Sequence, residues 1–158
     1  KIYLLTLVNW KNTFSEKISY LRHPGYKNFD GIEKDFKIGR SYAKILNEHL
    51  CCFADCSIYG YIVSKYFEIP ATGALLLAEN PNKDHKEFDN LESLGFIDNV
   101  NYISCTKDNI QDKINWILDP LNKCKIDEIR KNGMEMVRNN HSIKKRAVFI
   151  HKYLSRKI

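Results

Sequence analysis

Three polar side chains interrupt an otherwise apolar stretch in the middle of the chain. Lys65, Glu68 and Thr72 stand at i, i+3 and i+7, so a helix over residues 62–71 would align them along one face. A carboxylate can accept hydrogen bonds from two neighbouring hydroxyl groups, and an ammonium group is a compact partner for a diphosphate. A charged stripe on an otherwise apolar helix needs a reason, so we place the candidate site here. The plainer interpretation is a surface ion pair between Lys65 and Glu68.

The residues that follow this stripe predict how it is held. Gly73 suits a helix end because glycine adopts positive φ at little cost, and the apolar run 74–78 is typical of a buried strand. Pro70 lacks the N–H that would bond the Tyr66 carbonyl, so the helix is expected to be short, kinked or late in starting. The predicted unit is a helix, a tight turn and a strand.

Predicted strands and helices alternate along the whole chain. Strands are predicted at residues 2–8, 50–54, 74–78 and 100–105, and helices at 36–49, 84–94, from 106 to Pro120, at 126–137 with an interruption at Gly133, and from 142 onward. Residues 19–22 fit either the end of an early helix or a second strand. The alternation predicts an α/β fold, a Rossmann-like doubly wound parallel sheet with helices on both faces.

The last third of the chain combines an apolar stripe with many bases. The final helix is expected to bury the side chains that stand at i, i+4, i+7 and i+11, namely Ile143, Ala147, Ile150 and Leu154. Lys and Arg exceed Asp and Glu by 25 to 19, which gives a net charge of +6. We interpret these bases as solvated helix faces; the alternative is a basic surface for nucleic acid or anionic lipid.

Length and cysteine content limit the class of protein. With 158 residues the chain is expected to form a single domain, residues 1–158. The five cysteines are odd in number and contain no CxxC pair, which favours buried reduced thiols over disulfides or a zinc site: Cys51, Cys52, Cys56, Cys105 and Cys124. No signal peptide and no apolar run near the ~20 residues of a membrane span is found, so the predicted location is cytoplasmic.

The stretch KYFEIPATGALLLAE at 65–79 resembles the carboxyl-terminal, donor-binding half of nucleotide-sugar-dependent glycosyltransferases of the GT-B fold, in particular the group-1 and spore-maturation types. Further pieces agree with it in order: HPGY at 23–26, SYAKILNEH at 41–49, LESLGFIDNVNYI at 91–103 and NNHSIKKRA at 139–147. The resemblance implies that the chain is one half of a GT-B fold and a fragment of a longer protein. It also implies that the helical tail packs across the other half.

The resemblance implies a role for each matched residue. Glu68 takes the place of the glutamate that accepts hydrogen bonds from the donor ribose, and Lys65 takes the place of a base near the donor phosphates. Retaining members often carry a second glutamate eight residues earlier, where this chain has Gly60. Transfer with retention is the expected outcome, but this departure leaves the anomeric outcome open.

The remaining candidates for donor binding surround this stripe. Tyr59 and Tyr26 flank the expected crevice, where they would stack on a base or sugar, or else belong to the core. His23, before Pro-Gly, would contact a phosphate or an acceptor hydroxyl, or else only cap a turn. Gly60, Thr72 and Gly73 complete the predicted donor site. No catalytic residue is identified.

The predicted function is donor binding in a glycosyltransferase that moves a sugar from a nucleoside-diphosphate sugar to an acceptor. The acceptor, a glycan, protein or small molecule, would be bound by a missing amino-terminal domain, so the isolated domain is expected to be inactive. No cofactor, metal or nucleic-acid partner is expected. The absence of a Gly-rich phosphate loop argues against a dehydrogenase or P-loop enzyme. The alternatives are a non-catalytic Rossmann-like module for a phosphorylated ligand or protein partner, and a basic nucleic-acid-binding domain.

Overall fold

The structure is a computed structural model that describes residues 2–4, 18–20, 39–56, 60–81 and 91–155. Its strands are β1 Ile2–Leu4, β2 Ile18–Tyr20, β3 Cys51–Ala54, β4 Leu75–Glu79 and β5 Ile103–Cys105. Its helices are α1 Gly39–Asn47, α2 Lys65–Ala71, α3 Ile110–Leu118, α4 Lys123–His141 and α5 Ile143–Ser155, with a 3-10 turn at Pro120–Asn122 between α3 and α4.

The five described strands form one parallel sheet in the order β2-β1-β3-β4-β5. Ile2 pairs with Cys51, and Glu79 at the end of β4 pairs with Cys105 at the end of β5. Each parallel pair needs a crossover connection, and α2 supplies the one between β3 and β4. The strand order reverses between β1 and β3. Their carboxyl ends therefore form the topological switch point at which open α/β sheets bind ligands.

The core lies on both faces of the sheet because successive side chains of a strand point to opposite sides. On one face, Phe53 and Leu77 join a cluster with α3 and the first part of α4. On the other face, Cys52 and Leu76 join a cluster with α1 and α2. Helices therefore cover both faces, and the predicted Rossmann-like, doubly wound α/β fold is confirmed.

Most element boundaries predicted from the sequence differ by only a few residues from those observed. The strands predicted at 50–54, 74–78 and 100–105 are β3, β4 and β5, the helix predicted at 36–49 is α1, and the ambiguous segment 19–22 overlaps β2. Residues 84–90 of the predicted helix 84–94 lie outside the described residues, and residues 91–94 form a turn and not a helix. Gly95, the residue after this range, has a φ of 86°, the left-handed conformation that favours glycine.

The predicted interruption at Gly133 is wrong, because the helix α4, Lys123–His141, continues through this residue. A Cβ atom placed on Gly133 would lie 2.5 Å from the backbone oxygen of Asn101 and 3.4 Å from the Cβ of Pro70. The glycine therefore permits a close approach between α4, the turn before β5 and α2.

The predicted burial of the α5 stripe is also wrong. Ile143 is 89% exposed, Ile150 55% and Leu154 57%, and Ala147 is exposed as well. Phe149 and Tyr153 on the same helix are 65% and 54% exposed. The helical spacing was correct, but a stripe is buried only where another element covers it. No element among the described residues covers α5 in this way.

Three of the five cysteines are core residues, as predicted, and no cysteine forms a disulfide. Burial raises the pKa of the Cys52 and Cys105 thiols to about 12 and that of Cys51 well above its usual range. Cys56 is partly buried. Cys124 is exposed at the start of α4, so the prediction of a buried thiol is wrong for Cys124. Buried neutral thiols behave as small apolar side chains.

Candidate functional site

The helix α2 begins late and is short, as Pro70 led us to expect. Ser64 precedes it, and the Ser64 carbonyl accepts hydrogen bonds from the N–H groups of Phe67 at 2.9 Å and Glu68 at 3.0 Å. Pro70 is buried in the last turn, where its missing N–H removes only one helical bond. Since β3 runs into α2 and α2 returns to β4, Lys65 lies at the carboxyl edge of the sheet.

Lys65 is a partly buried cation within range of the charges of two carboxylates. Burial lowers the pKa of its ammonium group, while the charges of Asp55 and Glu68 act in the opposite direction. Asp55 directly follows β3 and Lys65 begins α2, so these two groups belong to the carboxyl edge beside the switch point, with Glu68 one helical turn further along. The attraction between an anion and an ammonium group is stronger where the ammonium group has lost part of its hydration than in bulk water. This position suits contact with a negatively charged ligand.

Glu68 follows Lys65 by one turn of α2, and its side chain is exposed. Its charge also acts on Tyr42 of α1: burial raises the pKa of that phenol to about 12, and the Glu68 carboxylate contributes to the rise. Glu68 therefore lies near the junction of α1 and α2 with its carboxylate accessible. An accessible carboxylate can accept hydrogen bonds from ligand hydroxyl groups.

Gly60 occupies a conformation that explains why this position lacks a larger residue. Its φ is 66°, a value that favours glycine strongly. The Tyr61 N–H donates to the Cys56 carbonyl at 2.8 Å, so a hydrogen bond joins the residue after Gly60 to the chain before it. A Cβ atom at Gly60 would have room, with the Pro81 oxygen 3.7 Å away. Backbone strain, not crowding, therefore disfavours a glutamate at this position.

Thr72 and Gly73 lie at the opposite end of α2 from Lys65. The Thr72 hydroxyl donates to the Ile69 carbonyl at 2.7 Å, and Gly73 has a φ of 88°. Both precede β4, so they belong to the amino-terminal edge of the sheet. Seven helical residues span about 10 Å. The structure therefore does not bring these two predicted site residues together with Lys65.

The carbonyl groups at that end of α2 are held by side chains from other helices. The Ala71 carbonyl accepts two hydrogen bonds from Arg138, at 3.1 and 2.8 Å, and the Gly73 carbonyl accepts one from Arg130 at 2.9 Å. The Thr72 carbonyl accepts from Asn47 of α1. Cations at a helix carboxyl terminus stabilise it. We call these contacts of Asn47, Arg130 and Arg138 the clamp of α2. It was not predicted from the sequence.

Glu79, the last residue of β4, joins the two sides of the β3–α2 connection. Its Oε2 accepts from the Cys56 N–H at 3.3 Å and from the Cys56 thiol at 3.4 Å. Its backbone carbonyl accepts from the Tyr66 hydroxyl at 2.6 Å. One residue at the end of β4 thus contacts the chain both before Gly60 and after Lys65.

His23, Tyr26 and Tyr59 lie outside the described residues, so their assignment to the site stays a prediction. Across the residues that are described, no group of three or more His, Cys, Asp or Glu side chains is placed to hold a metal ion. None of the described helices is long and apolar enough to cross a membrane.

Comparison with known proteins assigns the chain to a family. The family model described as glycosyl transferase-like matches residues 10–152, which is most of the chain. No curated protein and no solved structure gives a significant match. The matched segment contains every described element from β2 to α4 and most of α5. The chain therefore belongs to the glycosyl transferase-like family.

Proposed function

We propose that this chain is the donor-binding half of a GT-B glycosyltransferase of the spore-maturation type. It binds a nucleoside-diphosphate sugar and contributes to transfer of the sugar to an acceptor with retention. The observation that carries the proposal is the placement of Lys65 and Glu68 at the carboxyl edge of the sheet, beside the switch point between β1 and β3. The family match supports glycosyl transfer in general.

The two charged residues divide the recognition of the donor between them. Lys65, partly desolvated, contacts the diphosphate, and the exposed Glu68 carboxylate accepts hydrogen bonds from the ribose hydroxyl groups. Gly60 lets the backbone approach the donor, and Tyr59, His23 and Tyr26 complete the site. Thr72 and Gly73 support it from the far end of α2.

A second domain, amino-terminal to this one, supplies the acceptor site in this proposal. The acceptor is a glycan, a protein or a small molecule, and the isolated domain transfers no sugar without it. We place the reaction in the cytoplasm. No metal or cofactor takes part in donor binding by this domain.

Calorimetric titration of wild type and Glu68→Gln with a nucleoside, its diphosphate and its nucleotide sugar tests the proposal. Gln keeps the size of Glu but loses the charge-assisted hydrogen bonds, so affinity for all three ligands should fall by roughly 1.5–3 kcal/mol. Glu135→Gln, at an exposed position on α4, is the matched control and should bind as wild type does. The proposal fails if Glu68→Gln binds all three like wild type.

A non-catalytic module that binds a phosphorylated ligand is the second candidate, and Gly60 is the observation that favours it. Retaining glycosyltransferases of the resembled group often have a glutamate at this position, whereas the positive φ of Gly60 disfavours any larger residue. Incubating the full-length protein with a nucleotide sugar separates the two functions. Release of free nucleoside diphosphate together with a glycosylated acceptor supports the enzyme, and tight binding with neither product supports the module.

A further inference from the structure

Glu79 is the residue at which the β3–α2 connection is attached to the sheet. Its side chain contacts the amino-terminal end of that connection, because Oε2 accepts from both the N–H and the thiol of Cys56. Its backbone contacts the first turn of α2, because its carbonyl accepts from the Tyr66 hydroxyl at 2.6 Å. Lys65 and Gly60 lie between these two attachments.

The Cys56 thiol and the Tyr66 hydroxyl both keep their protons at neutral pH, so each remains a hydrogen-bond donor to Glu79. Burial and the adjacent Glu79 carboxylate raise the pKa of the Cys56 thiol to about 11, so the thiol keeps the proton that it donates. Burial raises the pKa of the Tyr66 hydroxyl far above its usual range, so that group is also a donor. A hydrogen bond to a carboxylate is stronger than one between neutral groups.

The turn at Gly60 is tied to Cys56 by a backbone hydrogen bond. Gly60 has a φ of 66°, and glycine loses more conformational freedom on ordering than other residues do. The Tyr61 N–H donates to the Cys56 carbonyl at 2.8 Å, so the turn around Gly60 is closed on Cys56 and Cys56 is held by Glu79. A shift of Cys56 would therefore be passed to Gly60.

We infer that Glu79 is a positioning residue for donor binding: it fixes the connection that presents Gly60 and Lys65, without touching the donor itself. The inference rests on the proposed function, since it explains how the donor site is held ready before the ligand arrives. Ordering a segment before binding increases affinity because the entropy of ordering is then not lost on binding.

The test compares Glu79→Met, Glu79→Gln and the exposed control Glu135→Met on the full chain, with uridine, guanosine and adenosine diphosphates as probes. For whichever diphosphate wild type binds, Glu79→Met should lower the affinity roughly tenfold, the effect of losing a hydrogen bond to a charged group. Glu79→Gln keeps an acceptor for Cys56 and should recover most of the affinity. Glu135→Met should match wild type.

Hydrogen exchange distinguishes a local positioning role from a general loss of stability, which would speed exchange throughout the sheet. In Glu79→Met the amides of Cys56 and Tyr61 should exchange faster than in wild type, and the diphosphate should restore their protection. Cys56→Ala, which removes only the thiol contact, should lower affinity roughly threefold and serves if Glu79→Met does not fold.

The outcomes separate the inference from the function on which it rests. If wild type binds none of the diphosphates, the proposed function fails and the inference fails with it. If wild type binds, but Glu79→Met or its Cys56→Ala substitute binds equally tightly, only the inference is overturned. Faster exchange throughout the sheet with unchanged affinity would make Glu79 a stability residue and would also overturn it.

Discussion

The two ends of α2 are built differently although only seven residues separate them. At the carboxyl-terminal end, the carbonyl groups of Ala71 and Gly73 accept hydrogen bonds from Arg138 and Arg130 of α4. At the amino-terminal end, the partly buried ammonium group of Lys65 lies within range of the charges of two carboxylates, Asp55 and Glu68.

The difference separates stability from recognition within one helix. The clamped end satisfies backbone groups that a helix terminus leaves without intrahelical partners. The other end keeps charged side chains at the edge where ligands of α/β sheets bind. We therefore expect substitutions at the clamped end to change the free energy of unfolding, and substitutions at the Lys65 end to change ligand affinity instead.

Gly133→Ala should produce the largest loss of stability. Its Cβ would lie 2.5 Å from the Asn101 oxygen, a contact that forces the backbone to move, and overpacking of this kind costs roughly 1–3 kcal/mol. The higher helix propensity of alanine offsets about 1 kcal/mol at most. Urea unfolding measures the difference. Glu135→Ala, exposed on the same helix, should be neutral or stabilising, and equal stability of the two variants would contradict the prediction.

Arg130→Met should have the next largest effect. Met keeps much of the aliphatic stem but loses the hydrogen bond to the Gly73 carbonyl, at a cost of about 1.5 kcal/mol. Lys131→Met, exposed beside it on α4, is the control. Thermal unfolding should show a lower Tm for Arg130→Met only, while diphosphate affinity stays that of wild type. A loss of affinity at unchanged Tm would reverse the assignment of the two ends.

His141, at the end of α4, should make stability depend on pH. Its Nε2 donates to the Leu94 carbonyl at 2.7 Å and its Nδ1 accepts from Arg146 at 2.7 Å, an arrangement that requires the neutral ring. Burial lowers the pKa of His141 and the Arg146 charge lowers it further, against the Leu94 hydrogen bond. The unfolded state then takes up the proton first as pH falls.

The contribution of His141 to the free energy of unfolding should therefore be fully present above the pKa of histidine in the unfolded chain, about 6.5. It should decline as pH falls below that value toward the lower pKa of His141 in the folded protein. Urea unfolding at several pH values between 5 and 8 measures this slope. His141→Gln should flatten it, whereas His151→Gln, on the exposed face of α5, should not. Identical slopes for His141→Gln and wild type would exclude this source of pH dependence.

Lys65→Met should have the smallest effect on stability. Burial lowers the pKa of the ammonium group, which means that the folded state disfavours the charge, so its removal should change the free energy of unfolding by less than roughly 0.5 kcal/mol or increase it. Affinity for a nucleoside diphosphate should fall more than affinity for the nucleoside. A large drop in Tm with equal loss for both ligands would make Lys65 a structural residue.

The sequence predicted what local patterns determine. The apolar runs of β3 and β4 and the glycine stop at Gly73 have local signals, and these elements lie where they were expected. The spacing of Lys65, Glu68 and Thr72 predicted one common site, whereas the structure separates Thr72 from Lys65 by the length of α2. Thr72 lies at the amino-terminal edge because the helix starts at Lys65 and ends before Thr72.

Contacts between residues distant in sequence could not be predicted. Arg138 bonds Ala71 across 67 positions and Arg130 bonds Gly73 across 57, so no local pattern connects them. Glu79 lies just beyond the predicted strand 74–78, and only the pairing of β3 with β4 brings it to Cys56. For the same reason helical spacing predicted the α5 stripe but not whether anything covers it.

The parallel sheet has a consequence for how the chain folds. Ile2 of β1 pairs with Cys51 of β3, and every strand pair among the described residues is parallel, so none of these pairs is a local hairpin. Chain closure over such separations is slow, and non-local pairing places folding in the slower range of single domains. During synthesis one side of β1 can therefore form its strand pair only after β3 has been made. A nascent chain that ends before Cys51 lacks this partner of β1.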